Sequence, residues 1–235
     1  MDAAFPDKIQ QHGFSRVNLR PLVAPAEKLS LPECHAIVQR SAVEFRGWAF
    51  PHSQRRTDEH GGPENVGDYV QHWCDWHYHI EFWRMYRSTQ FLHYKVLRED
   101  TKDVQGAPET PFISIDWSIH LITEVVEFAA RLQRSGIYQT GLRIDISLNN
   151  IAGRHLWVGP RRMDFSYPRV NHADSIKLVR EVAETALQEI SLEVSRNMIL
   201  EFFDNFGWQP FGHLEKPPPF GIFVIQSGVG DFHWV

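Results

Sequence analysis

Cysteine is scarce in this sequence, and long apolar runs are absent from it. Cys34 and Cys74 are its only cysteines. No stretch approaches the roughly 18 consecutive apolar residues that a membrane span needs. The first ten residues are polar and lack the apolar core of a signal peptide. Two free thiols and no leader are typical of a reducing compartment, so we expect a soluble, cytoplasmic protein with no membrane partner.

Runs of basic residues are lacking as well. The chain of 235 residues has a net charge of −5, and its Lys and Arg residues are scattered. Nonspecific binding to DNA or RNA depends on clustered positive charge. The net charge therefore argues against nucleic acid as a partner, although it leaves room for a local basic surface.

Several catalytic motifs are also missing. The sequence contains no GxxxxGK[ST] phosphate loop, no glycine-rich dinucleotide fingerprint and no GxSxG nucleophile elbow. These absences argue against a P-loop ATPase, a Rossmann dehydrogenase and an α/β-hydrolase. What the chain does contain is 43% hydrophobic residues and eight Trp, which is enough to build a globular core.

Hydrophobic spacing predicts an α+β fold. The sheet is expected to be antiparallel or mixed and built from two hairpins, with helices packed on one face and a long C-terminal helix. Residues 29–235 are expected to form one domain, with a proline-rich break at 215–219. The predicted order is an irregular lead-in over 1–28, a helix over 31–41 that begins at a capping box, a surface loop over 53–68, a hairpin over 78–98, a helix over 116–134, a second hairpin over 142–158, one long helix or two in tandem over 173–206, and a strand over 220–225.

The first hairpin contains the densest supply of metal ligands. On a strand, His77, His79 and Glu81 point to one side, and two imidazoles with a carboxylate can hold a divalent metal with an open position for water. Cys74 or His72 could supply a fourth ligand, and His93 and Asp100 on the partner strand add to the supply of ligands. The alternative is a purely structural polar end to an aromatic hairpin. A two-residue turn at Ser88-Thr89 would place Arg84 opposite His93, Glu81 opposite Val96 and His79 opposite Arg98.

A second candidate site is the segment from Arg46 to His52. Arg46, Trp48 and His52 can line an aromatic and cationic pocket for a planar or anionic ligand. Trp83, Arg84 and His93 of the hairpin complete the predicted ligand-binding set. The alternative is a buried Trp48 beside a turn.

A resemblance emerges from several of these segments together. Arg46-Gly-Trp48, Pro51-His52, residues 79–93, Leu97–Asp100 and residues 127–132 resemble an uncharacterised bacterial region found C-terminal to Schlafen/AlbA-type domains. The likeness spans roughly 18–208, and we expect the module to stand without the Schlafen/AlbA-type half. The resemblance implies an accessory, sensing or partner-binding module of a bacterial cytoplasm, tied to defence or regulation, and it assigns no catalytic residues.

Three functions remain open at this point. The first is a noncatalytic sensor or accessory module that binds a protein partner or a small molecule. The second is a metal-dependent hydrolase or nuclease that uses His77, His79 and Glu81 with a divalent cofactor. The third is a structural subunit whose long helix over 173–206 faces a partner.

Overall fold

The computed structural model describes residues 1–54, 56–101, 106–160, 164–183 and 187–210. In chain order, the elements are α1 (Phe5–Gln10), β1 (Phe14–Pro21), α2 (Leu31–Ser41), β2 (Gly61–Val66), β3 (Tyr69–Trp76), β4 (His79–Tyr86), β5 (Phe91–Val96), α3 (Arg98–Thr101), β6 (Phe112–Ser114), α4 (Ile115–Arg134), β7 (Leu142–Asn149), β8 (His155–Trp157), β9 (Ser175–Val182) and α5 (Leu187–Asp204). The α+β class and the C-terminal helix are confirmed.

One large sheet organises these elements. Its seven strands run in the order β2-β3-β4-β5-β1-β7-β9, and every neighbouring pair is antiparallel. The short strands β6 and β8 pair separately and in parallel. No helix within the described residues is both long and apolar enough to span a membrane.

Side-chain alternation along the strands divides the sheet into two different faces. One face joins α2, α4 and α5 in the main core, where Val17 of β1 meets residues such as Phe128 of α4 and Phe202 of α5. On the opposite face the short helix α1 covers only a small second core around Phe5 and Phe82. We call this second side the open face of the sheet.

Local signals explain where two helices begin. The Ser30 hydroxyl accepts from the Glu33 backbone N–H, and the Glu33 carboxylate accepts from the Ser30 backbone N–H, so the predicted capping box starts α2. Ser114 caps the amide of Trp117 in the same way at the start of α4. Both helices therefore satisfy backbone donors that would otherwise lack partners.

Four predictions about the elements are wrong. The lead-in over 1–28 contains α1 and β1, and β1 lies between β5 and β7 in the middle of the sheet. The loop over 53–68 contains β2. Strand β7 pairs with β1 and β9, so 142–158 is not a hairpin. The segment 173–206 contains strand β9 (Ser175–Val182) as well as helix α5 (Leu187–Asp204), so it is not helical throughout.

The first hairpin is real, but its predicted register is off by one residue. Glu81 lies opposite Lys95 and Trp83 opposite His93. Thr89, at φ 67°, ends a three-residue loop, and this left-handed residue lets the longer loop close the hairpin. The predicted break at 215–219 and the strand over 220–225 lie outside the described residues.

Candidate functional site

The second candidate site lies in the loop between α2 and β2, in a part whose two ends are hydrogen-bonded to each other. Val43 and Phe50 exchange both backbone hydrogen bonds, at 2.9 and 2.8 Å. Gly47 takes a φ of +70°, which a residue with a side chain rarely adopts. The residues between them therefore form a compact excursion from the core, and we call residues 43–52 the clamp loop.

An ion pair fixes the tip of the clamp loop to α4. Arg46 Nε donates to Glu124 Oε1 at 2.9 Å, and a second guanidinium nitrogen contacts the other carboxylate oxygen. Glu124 is almost fully buried, and this burial raises its pKa above the usual value although Arg46 opposes the shift. On the same helix, burial and the charge of Arg46 lower the pKa of His120 to about 4.

The other end of the clamp loop is fixed to the first hairpin through the backbone of His52. Its N–H donates to Glu81 Oε1 at 3.0 Å, and its carbonyl accepts from Trp83 Nε1 at 2.8 Å. Both partners face the helices, because alternate residues of β4 share a side. The two candidate sites predicted from separate segments thus form one cluster.

Glu81 is the centre of this cluster and is 2% exposed. Its Oε2 lies 2.9 Å from Lys95 Nζ and 2.9 Å from His79 Nε2, although the latter contact is poorly aligned for a hydrogen bond. Burial opposes ionisation, but Lys95 and His79 hold the pKa of Glu81 well below its usual range. The carboxylate is therefore charged, and both of its oxygens are occupied.

Rings surround the outer side of the carboxylate. Trp48 stacks on His52 with centroids 4.5 Å apart, meets Trp76 edge-to-face at 5.9 Å and lies 4.9 Å from His79. Trp48 is 37% exposed, so the ring system opens to solvent. Burial lowers the pKa of His52, and its Nε2 has no hydrogen-bond partner. A neutral, unpaired imidazole nitrogen thus lies beside an accessible indole.

His93 forms the floor of the cluster. It is fully buried, its Nε2 lies 3.6 Å from Glu81 Oε2, and its ring meets Phe50 at 4.9 Å. Burial lowers the pKa of His93, although Glu81 opposes the shift. The imidazole is therefore neutral and separated from solvent by the clamp loop.

Two predicted site residues do not join the cluster. His77 lies in the turn between β3 and β4 and is exposed, so it cannot share a strand face with His79 and Glu81. Arg84 points to the open face, because it is one residue from Trp83 on the same strand. The structure therefore separates His77 from the other two predicted metal ligands and Arg84 from the rest of the predicted ligand-binding set.

The additional ligands considered for a metal have other partners. His72 stacks on Trp83 and approaches His35 at 3.1 Å, while Asp100 pairs with Arg154 at 2.7 Å. Cys74 lies opposite Glu81, but burial raises the pKa of its thiol. Within the described ranges, no group of three or more His, Cys, Asp and Glu side chains has an arrangement that fits a metal ion.

Four cluster members were missed from the sequence. Lys95 follows His93 at strand spacing, so alternation offered a signal for it. Glu124 lies on the polar side of the helical pattern of α4, so spacing gave no signal of its burial. Trp76 joins through its ring contact with Trp48 and His120 through the charge of Arg46, and spacing encodes neither.

The chain matches no protein-family model, no curated protein and no solved structure. A cavity of about 290 Å³ lies near β8, lined in part by Gly153, His155 and Phe165, and no cluster residue lines it. The clamp loop and the rings around Glu81 therefore remain the main candidate site.

Proposed function

We propose that the protein is a noncatalytic sensor or accessory module that binds a planar, uncharged ring at Trp48 and His52. The observation that carries this proposal is an exposed indole held on a loop with three separate attachments: the Val43–Phe50 bridge, Arg46–Glu124 and His52–Glu81. A loop fixed before binding loses little conformational entropy when a ligand arrives.

The chemistry of the rings supports an uncharged planar ligand. Trp48 is 37% exposed and can stack on a planar ligand, and the buried Nε2 of His52 beside it has no hydrogen-bond partner. Burial keeps His52 and His93 neutral, while Lys95 and Arg46 are each paired with a carboxylate. No cation of the cluster is left over to bind an anion.

The state of Glu81 supports a noncatalytic role. A general base needs a free lone pair within reach of the substrate. Glu81 Oε1 is used by the His52 amide and Oε2 by Lys95 and His79, and the side chain is closed off from solvent. We assign Glu81 the role of an anchor for the clamp loop. A metal-dependent hydrolase has less support, because His77 is separated from His79 and Glu81.

The biological setting rests on sequence resemblance alone. On that ground we propose that the module serves a bacterial cytoplasmic system in defence or regulation, and that its planar ligand is a small molecule or a ring presented by a protein partner.

Calorimetric titration with free nucleosides tests the binding proposal, since a nucleoside combines a planar uncharged ring with a hydrogen-bonding edge. Saturable binding of at least one of adenosine, guanosine, cytidine or uridine is expected. The Trp48→Ala variant should lose it, because stacking on a ring contributes about 1–3 kcal/mol. Tyr167→Ala, at an 81% exposed tyrosine, is the matched control. Binding that survives Trp48→Ala, or turnover of a nucleotide or nucleic acid by the pure protein, would contradict the proposal.

A further inference from the structure

The open face of the sheet carries a second surface that does not depend on the Trp48 site. Glu81 and Trp83 face the helices, so Phe82 and Arg84 between and beside them face the other way. Strand register places side chains of this face in two rows across β3, β4, β5, β1, β7 and β9. The rows are Gln71, Arg84, Leu92, Asn18, Asp145 and Val179, and Trp73, Phe82, Tyr94, Arg16, Ser147 and Lys177.

Two arginines lie against aromatic rings in the middle of these rows. The Arg84 guanidinium lies 4.9 Å from the Tyr69 ring centroid and 5.1 Å from that of Phe82. Arg16 lies 5.9 Å from the Tyr94 centroid and donates to its hydroxyl at 2.9 Å. Both arginines and Tyr94 are partly exposed. The rings, together with the hydrogen bond from Arg84 Nε to Gln71 at 3.0 Å, hold the two guanidinium groups in place, where they can stack or bind an anion.

Some charged side chains on the open face form ion pairs, and two arginines do not. Lys177 pairs with Asp145 at 3.3 Å, and Arg143 pairs with Glu181 at 2.6 Å. Within the part of the chain that the structure describes, neither Arg16 nor Arg84 forms an ion pair with a carboxylate. These two positive charges are therefore available on this face.

Asp145 adds a polar feature that a ligand would satisfy. It lies beside Asn18 in the first of the two rows and is only 6% exposed. Its Oδ1 is buried and has no hydrogen-bond partner, although an orphaned buried acceptor costs about 1–3 kcal/mol. A carboxylate oxygen next to an arginine–aromatic surface can accept from an exocyclic amino group of a base.

We propose that the open face binds single-stranded nucleic acid across β4, β5 and β1. Arg84 and Arg16 contact phosphates or stack on bases, Tyr94 holds Arg16 in place, and Asp145 accepts from a base amino group. Single-stranded nucleic acid is bound by this combination of cations and rings. The net charge of −5 limits binding elsewhere on the surface, so we expect affinity to depend on these few residues.

Fluorescence anisotropy with the full chain tests this proposal. The probes are labelled oligothymidine and oligocytidine of about 20 nucleotides at about 50 mM salt, with titrations repeated at higher salt. Both should bind. The double variant Arg16→Gln/Arg84→Gln should weaken binding at least about tenfold and reduce the slope of log K against log salt by about 1.4, because each single-strand phosphate contact contributes about 0.7.

Three further variants separate a specific surface from a general loss of charge. Arg40→Gln, on the exposed side of α2, should change affinity less than about twofold. Asp145→Asn should reduce the preference for oligocytidine over oligothymidine. Thermal melts check folding. If the Gln pair fails to fold, Arg16→Lys/Arg84→Lys should keep the salt slope but lose affinity through weaker stacking.

The outcomes divide clearly. No binding of either oligonucleotide would overturn the proposal, as would an equal loss from Arg40→Gln. Polyglutamate bound as tightly as oligothymidine, with the same dependence on Arg16 and Arg84, would overturn it in favour of an acidic protein partner. If the wild-type protein binds no nucleoside at Trp48 but still binds oligonucleotides through Arg16 and Arg84, the proposed function is contradicted and the proposal for the open face stands.

Discussion

At the scale of single residues, Glu81 is both buried and negatively charged, a combination that is rare unless the side chain has a structural or functional role. It is buried, and it is charged because Lys95 and His79 contact one of its oxygens. Its other oxygen accepts the amide of His52 and so holds the clamp loop on the hairpin. Removing either Glu81 or one of its charged partners should therefore destabilise the fold strongly.

Glu81→Gln should lower the free energy of unfolding by about 3–5 kcal/mol, because it leaves Lys95 without its partner in a largely buried position. Denaturant titration measures this change. Glu189→Gln, at an exposed position of α5, should stay within about 0.5 kcal/mol. A loss for Glu81→Gln no larger than for the control would show that the carboxylate does not anchor the loop.

The shifted pKa of the buried His72 predicts how the stability of the fold varies with pH. Burial, together with His35, lowers the pKa of His72 from 6.5 to about 4. As the pH falls, His72 binds a proton at a higher pH in the unfolded chain than in the folded chain. The stability that depends on neutral His72 is therefore complete above about pH 6.5 and is lost as the pH falls towards 4. Between those limits His72→Gln should flatten the pH dependence by about 1.4 kcal/mol per pH unit. Denaturant titrations across this range, with His172→Gln as an exposed control, measure it, and parallel curves for wild type and His72→Gln would contradict the expectation.

At the scale of elements, the clamp loop shows what sequence patterns can and cannot supply. Arg46, Trp48 and His52 were predicted as a site because of their residue types, and the hairpin was predicted from its alternation. Their convergence depends on contacts between residues far apart in sequence, such as Arg46 with Glu124, which no local spacing encodes. His77 was misplaced because the turn after Trp76 contains neither Gly nor Asn.

Arg46→Ala should loosen the clamp loop without unfolding the domain. The Phe50 amide, which donates to Val43, should exchange with solvent about tenfold faster, equivalent to about 1.4 kcal/mol of local opening. Hydrogen-exchange mass spectrometry of peptides covering 43–52 measures this. Arg134→Ala, at the exposed end of α4, is the control, and equal exchange in the two variants would contradict the clamp.

At the scale of the whole molecule, the sheet order explains both successes and errors. The α+β class followed from local periodicity, and the capping box from a short-range rule. β1 was missed although Val17 and Leu19 alternate with polar residues, because the neighbouring prolines indicated irregular chain. β9 was read as helix because Val179 and Val182 also fit a helical spacing. Strand order itself is nonlocal and could not be predicted from single segments.

Val17→Asp tests the central position of β1. Val17 is fully buried between β5 and β7, so a carboxylate there should prevent folding or cost several kcal/mol. Val23→Asp, only six positions later but 60% exposed, should be tolerated within about 0.5 kcal/mol. Circular dichroism and thermal melting distinguish the two variants. A folded Val17→Asp protein of normal stability would show that β1 is a peripheral strand.

The most direct test of the central claim is the indole N–H spectrum of the full chain during titration with the nucleoside that binds best. Trp48 and Trp76 are assigned from the signals lost in Trp48→Phe and Trp76→Phe. We expect both signals to shift together and saturably, while that of Trp157 on β8 stays in place. Saturable binding that moves Trp157 and leaves Trp48 unchanged would contradict a ligand site on the clamp loop.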